Sequence, residues 1–356
     1  MNRVSYKPQR GDSGLAWGIA PGTVWIIIAL LALFSAAPLS ASETLTQVTV
    51  AVPGPANISY LPIDLIPKIG ADRAESIVVQ LHHTGGGGMA LQRMAQHQCD
   101  FAVVGLPAQM SMKSGGGDVV TLASVNDLPL FVLMVRQQLA QQVQSISDLH
   151  GRVVGVNSSS LSSKTTSQQL LELLLRHDGV PPDEVRLLPA GQSWATQAGL
   201  INSGRVDAIM GDEPFASRLL AENKVFFLAN LADNSMQQAI PGAGFLHAAL
   251  ATRSDMLQQQ DTRAERLVAA LKRSLAWIAS HSAAEVVAQL TIEDATERQA
   301  MVVALEKYPR LYSKDGRFSN RQLRDTERFF QEANPDIKQL VDLSSMIDSR
   351  WVGTGE

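Results

Sequence analysis

The stretch Ser147–Leu175 reads SDLHGRVVGVNSSSLSSKTTSQQLLELLL, and the rest of the chain is read outward from it. Asp148-Leu149-His150-Gly151 makes a turn into an apolar run, Val153–Val156, whose length and β-branching predict a strand. Asn157–Ser163 is a polar loop holding five serines. Leucines 170, 171, 174 and 175 then recur at helical spacing. A strand, a polar loop and a helix in this order place the loop at a helix N-terminus, where unpaired backbone N–H groups point outward. Serine and asparagine suit that place, because they cap the helix or contact a ligand.

The pattern continues downstream. Val185–Leu188 predicts a strand, Gly191-Gln192-Ser193-Trp194 a loop, Ala195–Asn202 a short helix, and Ala208–Met210 a third strand before Asp212-Glu213-Pro214. The same plan occurs upstream. Val48–Val52 and Ser76–Leu81 predict strands, Ile63–Ile69 a short helix and Thr84–Gly88 a glycine loop. Met89–His97 predicts a helix, and Asp100 leads into a strand over Phe101–Val104 that ends at Gly105. Asp100…Gly105 thus echoes Asp207…Gly211. The fold class is α/β, a two-lobed arrangement with a doubly wound sheet in each lobe. Leu130–Arg136 is read as a strand leaving the first lobe, and Phe245–Thr252 as the return. Two crossings imply a hinge with a cleft between the lobes. The first lobe is assigned residues 46–135 plus 245–356, the second residues 136–244. From Arg253 the tail is helical, with helices over Asp261–His281, Ala283–Leu290, Ile292–Lys307 and Asn320–Glu332, and a last one opened by Pro335-Asp336.

Composition narrows the function. The chain has 356 residues, 45% of them hydrophobic, and a formal charge of −4, which excludes a basic nucleic-acid-binding surface of the usual kind. Arg3, Lys7 and Arg10 precede an apolar run over Thr23–Phe34 and small residues over Ser35–Ser42. Residues 1–42 therefore read as a secretory signal peptide or, uncut, a signal anchor, and the remainder as exported to a periplasm. The single cysteine, Cys99, cannot form an internal disulfide and is read as core.

The motifs resemble the periplasmic solute-binding proteins of ABC importers, in the nitrate/sulfonate/taurine group and its thiamine-pyrimidine-precursor (NMT1/THI5-like) relatives. The resemblance is carried by Ser147–Val156, by Gly204-Arg205-Val206-Asp207-Ala208, by Asp212-Glu213-Pro214, by Gly86-Gly87 before a helix and by Cys99-Asp100-Phe101. It covers about residues 46–252. The family's aromatic opening is replaced here by Ile66-Pro67-Lys68-Ile69-Gly70. The resemblance implies a type II periplasmic binding protein fold, with capture of a small anionic or zwitterionic solute of the sulfonate, nitrate, carboxylate or pyrimidine class. It also implies partnership with an inner-membrane permease and its ATPase, no cofactor and no catalysis.

Candidate ligand contacts follow from residue chemistry. Gly86, Gly87 and Gly88 allow close backbone approach and an anion nest. Ser158, Ser159 and Ser160 offer hydroxyls. Asn57 and Tyr60 follow the first strand, and Trp194 could stack on a ligand. Glu213 would accept from an amine or ring N–H, unless Asp212-Glu213-Pro214 simply opens a helix with Asp212 as its cap. His82-His83 have no partners at metal spacing. Two rival functions are weighed. One is a ligand-sensing or TRAP-type subunit. The other is a serine hydrolase, with Ser193 in Gly191–Ala195 as nucleophile, an oxyanion loop at His83–Gly87, and His247 or His281 as base.

Overall fold

The computed structural model describes residues 45–353 apart from 161–162, 234–235, 237–238, 259 and 338–340, together with Ser5, Lys7 and Gly11. The segment read as a signal or anchor lies outside the described residues, those three positions aside. Among the described residues no helix is long and apolar enough to cross a membrane.

Two five-stranded sheets form residues 45–353. The first contains β1 (Thr46–Val52), β2 (Ile77–His83), β3 (Phe101–Gly105), β4 (Val120–Asn126) and β10 (Ala248–Thr252), in the order β2-β1-β3-β10-β4. The second contains β5 (Phe131–Arg136), β6 (Val153–Val156), β7 (Arg186–Pro189), β8 (Ala208–Asp212) and β9 (Val225–Asn230), in the order β7-β6-β8-β5-β9. The two orders are the same plan. In each sheet three strands run parallel, and the fourth enters antiparallel from the crossing.

The aspartates of the sequence echo have one structural job. Asp100 sits just before β3, and its Oδ2 accepts from the backbone N–H and hydroxyl of Thr49 in β1 (2.9 and 2.8 Å). Asp207 sits just before β8, and its Oδ2 accepts from the N–H of Val153 at the start of β6 (2.9 Å). Each carboxylate ties the third strand of its lobe to the first. Each is also paired with an arginine, Arg263 at 2.7 Å and Arg136 at 3.0 Å.

The lobe boundary differs from the sequence reading. Phe131–Arg136 does not belong to the first lobe: it pairs with β8 and β9 of the second sheet, so the chain crosses at 127–130. The cause is visible in its side chains. Phe131, Leu133 and Val135 face one apolar layer, Val132 and Met134 the other. A strand apolar on both faces needs a central place in a sheet covered on both sides. On the return, β10 joins the first sheet between β3 and β4.

The helices cover the sheets. In the first lobe these are α1 (Leu61–Leu65), α2 (Gly87–Ala95) and α3 (Leu106–Ser114). In the second they are α4 (Thr166–His177), α5 (Trp194–Asn202) and α6 (Phe215–Ala221). The leucine face of α4 is buried in the second core, and Thr165 caps the helix by accepting from the N–H of Gln168. The tail supplies α7 (Arg263–Ala279), α8 (Ala283–Ala288), α9 (Ala295–Lys307) and α10 (Asn320–Ala333). After Pro335 the described residues form turns and one short 3-10 helix, Leu343–Ser345, in place of the predicted last helix.

Helix α10 binds both lobes. Phe330 enters the first core, while its neighbour Phe329 enters the second and stacks on Phe245 with ring centroids 4.2 Å apart. Just beyond the helix, Asn334 donates to the side-chain oxygen of Gln169 in α4 (2.9 Å). Phe329 is fully buried, so Phe329→Ala should cost about 3–5 kcal/mol. Chemical denaturation checks this, and a loss below about 1 kcal/mol would contradict the clasp described here.

Candidate ligand site

The two lobes meet along their loops with almost no space between backbones. A Cβ added at Gly54 would collide with the carbonyl of Gln192, one at Gly86 with the backbone of Ser158, one at Gly88 with that of Ser159–Ser160, and one at Gly105 with the hydroxyl of Thr166. All four would fall under the 3.0 Å that real Cβ atoms respect. Glycine is required at these positions by approach, not by backbone angle. Hydrogen bonds cross the same seam. Ser163 donates to the carbonyl of Ala108 (2.8 Å), Gln169 to that of Pro107 (3.0 Å), and the Lys164 N–H to Ser111 Oγ (3.0 Å).

Inside the seam lies a small cavity of about 10 Å³, room for about one water molecule. Tyr60, Gly87, Gly105 and Ala108 line it from the first lobe, with His247 from the returning segment. Phe131, Asn157, Thr165, Thr166 and Gln192 line it from the second. Several of these side chains are fully buried and carry polar atoms with no hydrogen-bond partner: Asn157 Oδ1, Thr166 Oγ1 and both ring nitrogens of His247. Their residues are 3%, 4% and 1% exposed. Buried polar atoms are normally paired, and leaving one unpaired costs about 1–3 kcal/mol. Four such atoms meet in this one place.

Behind the cavity lies Asp212, at the end of β8. Its Oδ2 accepts from the carboxamides of Gln192 (3.2 Å) and Asn157 (3.4 Å). Burial pushes its carboxyl up to about 7, against the pull of hydrogen bonds from Gln192, Asn157 and Gln197. Burial also drives the imidazole of His247 down to about 3, so the ring is neutral near pH 7. The Tyr60 phenol is pushed well above its ordinary value, by burial first and then by the charge of Asp212. Among the described residues, no cationic side chain lines the cavity.

The residues singled out from sequence are distributed unevenly. Tyr60 and Gly87 line the cavity. Gly86 and Gly88 lie on the seam beside it, packed on Ser158 and on Ser159–Ser160. The hydroxyl of Ser159 is committed within its own loop, donating to Gln168 and accepting from the Thr165 N–H. Asn57 is buried, and its Oδ1 caps the following turn by accepting from the Ser59 N–H.

Two others are placed away from the cavity. Trp194 packs in the outer apolar layer of the second lobe, with the Arg218 guanidinium 3.7 Å over its ring. Glu213 caps α6 by accepting from the N–H and hydroxyl of Ser217 (3.0 and 2.7 Å). The acidic pair is thus divided otherwise than expected: Glu213 is the cap, and Asp212 stands behind the cavity and holds Gln192 and Asn157. A strand alternates sides residue by residue, so one position decides which carboxylate points inward.

Asn157, Thr166, Gln192 and His247 line the cavity and Asp212 stands behind it, although none of the five is among the contacts expected from sequence. Asn157 and Gln192 stand inside the two loops already recognised. Thr166 and His247 carry no local signal, because their place depends on how the lobes meet. Nor is the hydrolase constellation assembled. Ser193 caps α5, with its hydroxyl 2.9 Å from that of Thr196. His281 stacks on Trp277 in the tail.

This architecture is that of the type II periplasmic binding proteins. A protein of Bordetella bronchiseptica RB50 aligns over 87% of this chain and 96% of its own, with TM-score 0.77 and 20% identity. The alkanesulfonate-binding protein SsuA of Xanthomonas axonopodis pv. citri, solved with MOPS bound, aligns over 85% and 98%, with TM-score 0.65 and 12% identity. The desulfurization enzyme DSZB aligns over 86% and 97%, with TM-score 0.56 and 17% identity. No curated protein sequence matches the chain. The family model described as NMT1/THI5 like matches residues 73–284, and the chain belongs to that family.

The raised carboxyl of Asp212 has a consequence for stability. Its neutral form is favoured on folding, so its contribution is full below the unfolded value of 3.8 and is lost as pH rises through about 7. Between about pH 4 and about pH 8, wild type should lose on the order of 4 kcal/mol relative to Asp212→Asn. Urea denaturation of both proteins at each pH measures this, and a constant difference would contradict the buried placement.

Proposed function

We propose that this chain is the exported solute-binding component of an ABC importer, closing its two lobes on a small polar solute. The observation that carries this reading is the seam cavity, lined from both lobes by buried polar atoms without partners. Family membership agrees with it. The fold alone does not decide between binding and catalysis, since structures of both kinds share it. The site chemistry favours binding. Ser193 is committed to Thr196, and the neutral His247 has no carboxylate hydrogen-bonded to either ring nitrogen.

The cycle follows from the geometry. A cavity of about 10 Å³ sealed by three backbone contacts and one with the Thr166 hydroxyl admits nothing from outside, so uptake requires the lobes to part. They turn about the crossings at 127–130 and near Phe245–His247, with α10 limiting how far they move. Solute then replaces the lost partners, and closure restores the seam. The closed form is the one an inner-membrane permease would read, its ATPase supplying the energy. Residues 1–42 would direct export and leave or anchor the chain in the periplasm.

A solute at 100 times its Kd should stabilise the protein by about 2.7 kcal/mol, read as a rise in Tm. Gln192→Ala should remove most of that rise, because Gln192 both lines the cavity and holds Asp212. A fluorophosphonate should leave Ser193 unlabelled. Labelling of Ser193, with no solute raising the Tm, would replace the binding reading with the hydrolase.

A further inference from the structure

From the donors and acceptors of the cavity we infer that the solute is an uncharged compound presenting two N–H donors beside a carbonyl acceptor, a primary amide or cyclic ureide, and not a bare oxyanion. The inference rests on the binding reading above and names the class of solute for that same site.

Four features carry it. First, Asp212 holds the Asn157 carboxamide by its Nδ2 at 3.4 Å, so the free atom is Oδ1, an acceptor. A solute that displaces the water the cavity has room for has to offer a donor there. Second, a neutral imidazole has one donor and one acceptor nitrogen, and both in His247 are buried and unpartnered. The acceptor nitrogen also asks for a donor. Third, the remaining groups, the Thr166 hydroxyl and the His247 N–H, can donate. They suit a carbonyl oxygen. Fourth, no lysine or arginine lines the cavity, while a carboxyl stands directly behind its two carboxamides.

Nitrate or a sulfonate accepts only. It would satisfy Thr166 and one nitrogen of His247, leave Asn157 Oδ1 and the other nitrogen unpaired, and bring a net charge where burial already opposes one. The N-termini of α2 and α4 at the cavity supply partial positive charge, which a carbonyl oxygen uses as readily as an anion does. A carbonyl beside two N–H donors, as in a primary carboxamide or a cyclic ureide, meets all four requirements at once. Its charge is zero, so closing the lobes over it carries no ionic desolvation cost.

The test is isothermal titration of the purified full-length chain at pH 7.5 with two probe sets. One set is uracil, 2-imidazolidinone and nicotinamide; the other is nitrate, sulfate and ethanesulfonate. Heat from at least one member of the first set and none from the second is expected. Asn157→Leu should weaken that binding at least tenfold, while retaining the wild-type circular dichroism spectrum. Saturable heat from an oxyanion would overturn the solute class and leave the binding reading standing. Silence from both sets would overturn the class, and the binding reading falls with it only if the fluorophosphonate also labels Ser193. If Asn157→Leu fails to fold, Thr166→Val serves as the second variant, with the same tenfold loss expected. Undiminished affinity in the folded variant would also overturn the assignment.

Discussion

Everything about this molecule depends on how closely two backbones approach across the seam. Gly54, Gly86, Gly88 and Gly105 each face the opposite lobe at a distance that no side chain permits. The seam hydrogen bonds of Ser163, Lys164 and Gln169 sit in the same contact. The cavity exists only because the loops meet around it. Neither lobe alone carries a site. Tyr60 and His247 come from one side of the seam; Asn157, Thr166 and Gln192 come from the other.

The supporting structure makes that approach reproducible. Asp100 and Asp207 lock the third strand of each lobe to the first, so the loop after each strand emerges at a fixed place. β5 and β10 each cross into a sheet whose other strands lie on the far side of the crossing. A displacement in either sheet is therefore passed directly to the connection between lobes. Helix α10 adds a second link, since adjacent residues of it belong to different cores. On the second lobe's outer side, Arg218 lies over Trp194 and pairs with Asp294 (3.2 Å) and Glu297 (3.7 Å) of the tail. The tail is in this sense a strap over both lobes.

Much of this was legible in the chain itself. The alternation of apolar runs, glycine or serine loops and leucine-faced helices points to two doubly wound units, because strand and helix periods are local properties. The Asp…Gly echo was visible too, although its meaning, a carboxylate receiving a neighbouring strand's N–H, is a contact between segments far apart in sequence. The lobe boundary was misplaced because an apolar run of six residues says that it is buried and not in which sheet. At the site, the loops were legible and the atoms were not. Gly86 and Gly88 were singled out for the right freedom, but they use it to meet serine backbones. Asp212 and Glu213 are adjacent and chemically alike, so only the pleat of β8 separates cap from site. His247 and Thr166 owe their place wholly to closure.

The central claim is that the lobes close over a solute held in the seam. The most direct measurement is the distance between spin labels on the two lobes, at Gln96→Cys and Asp183→Cys with Cys99→Ala, recorded with and without solute. Both label positions are exposed. The account predicts a mixture of open and closed distances without solute, drawn into the shorter one as solute is added. A single distance that solute leaves unchanged would contradict it.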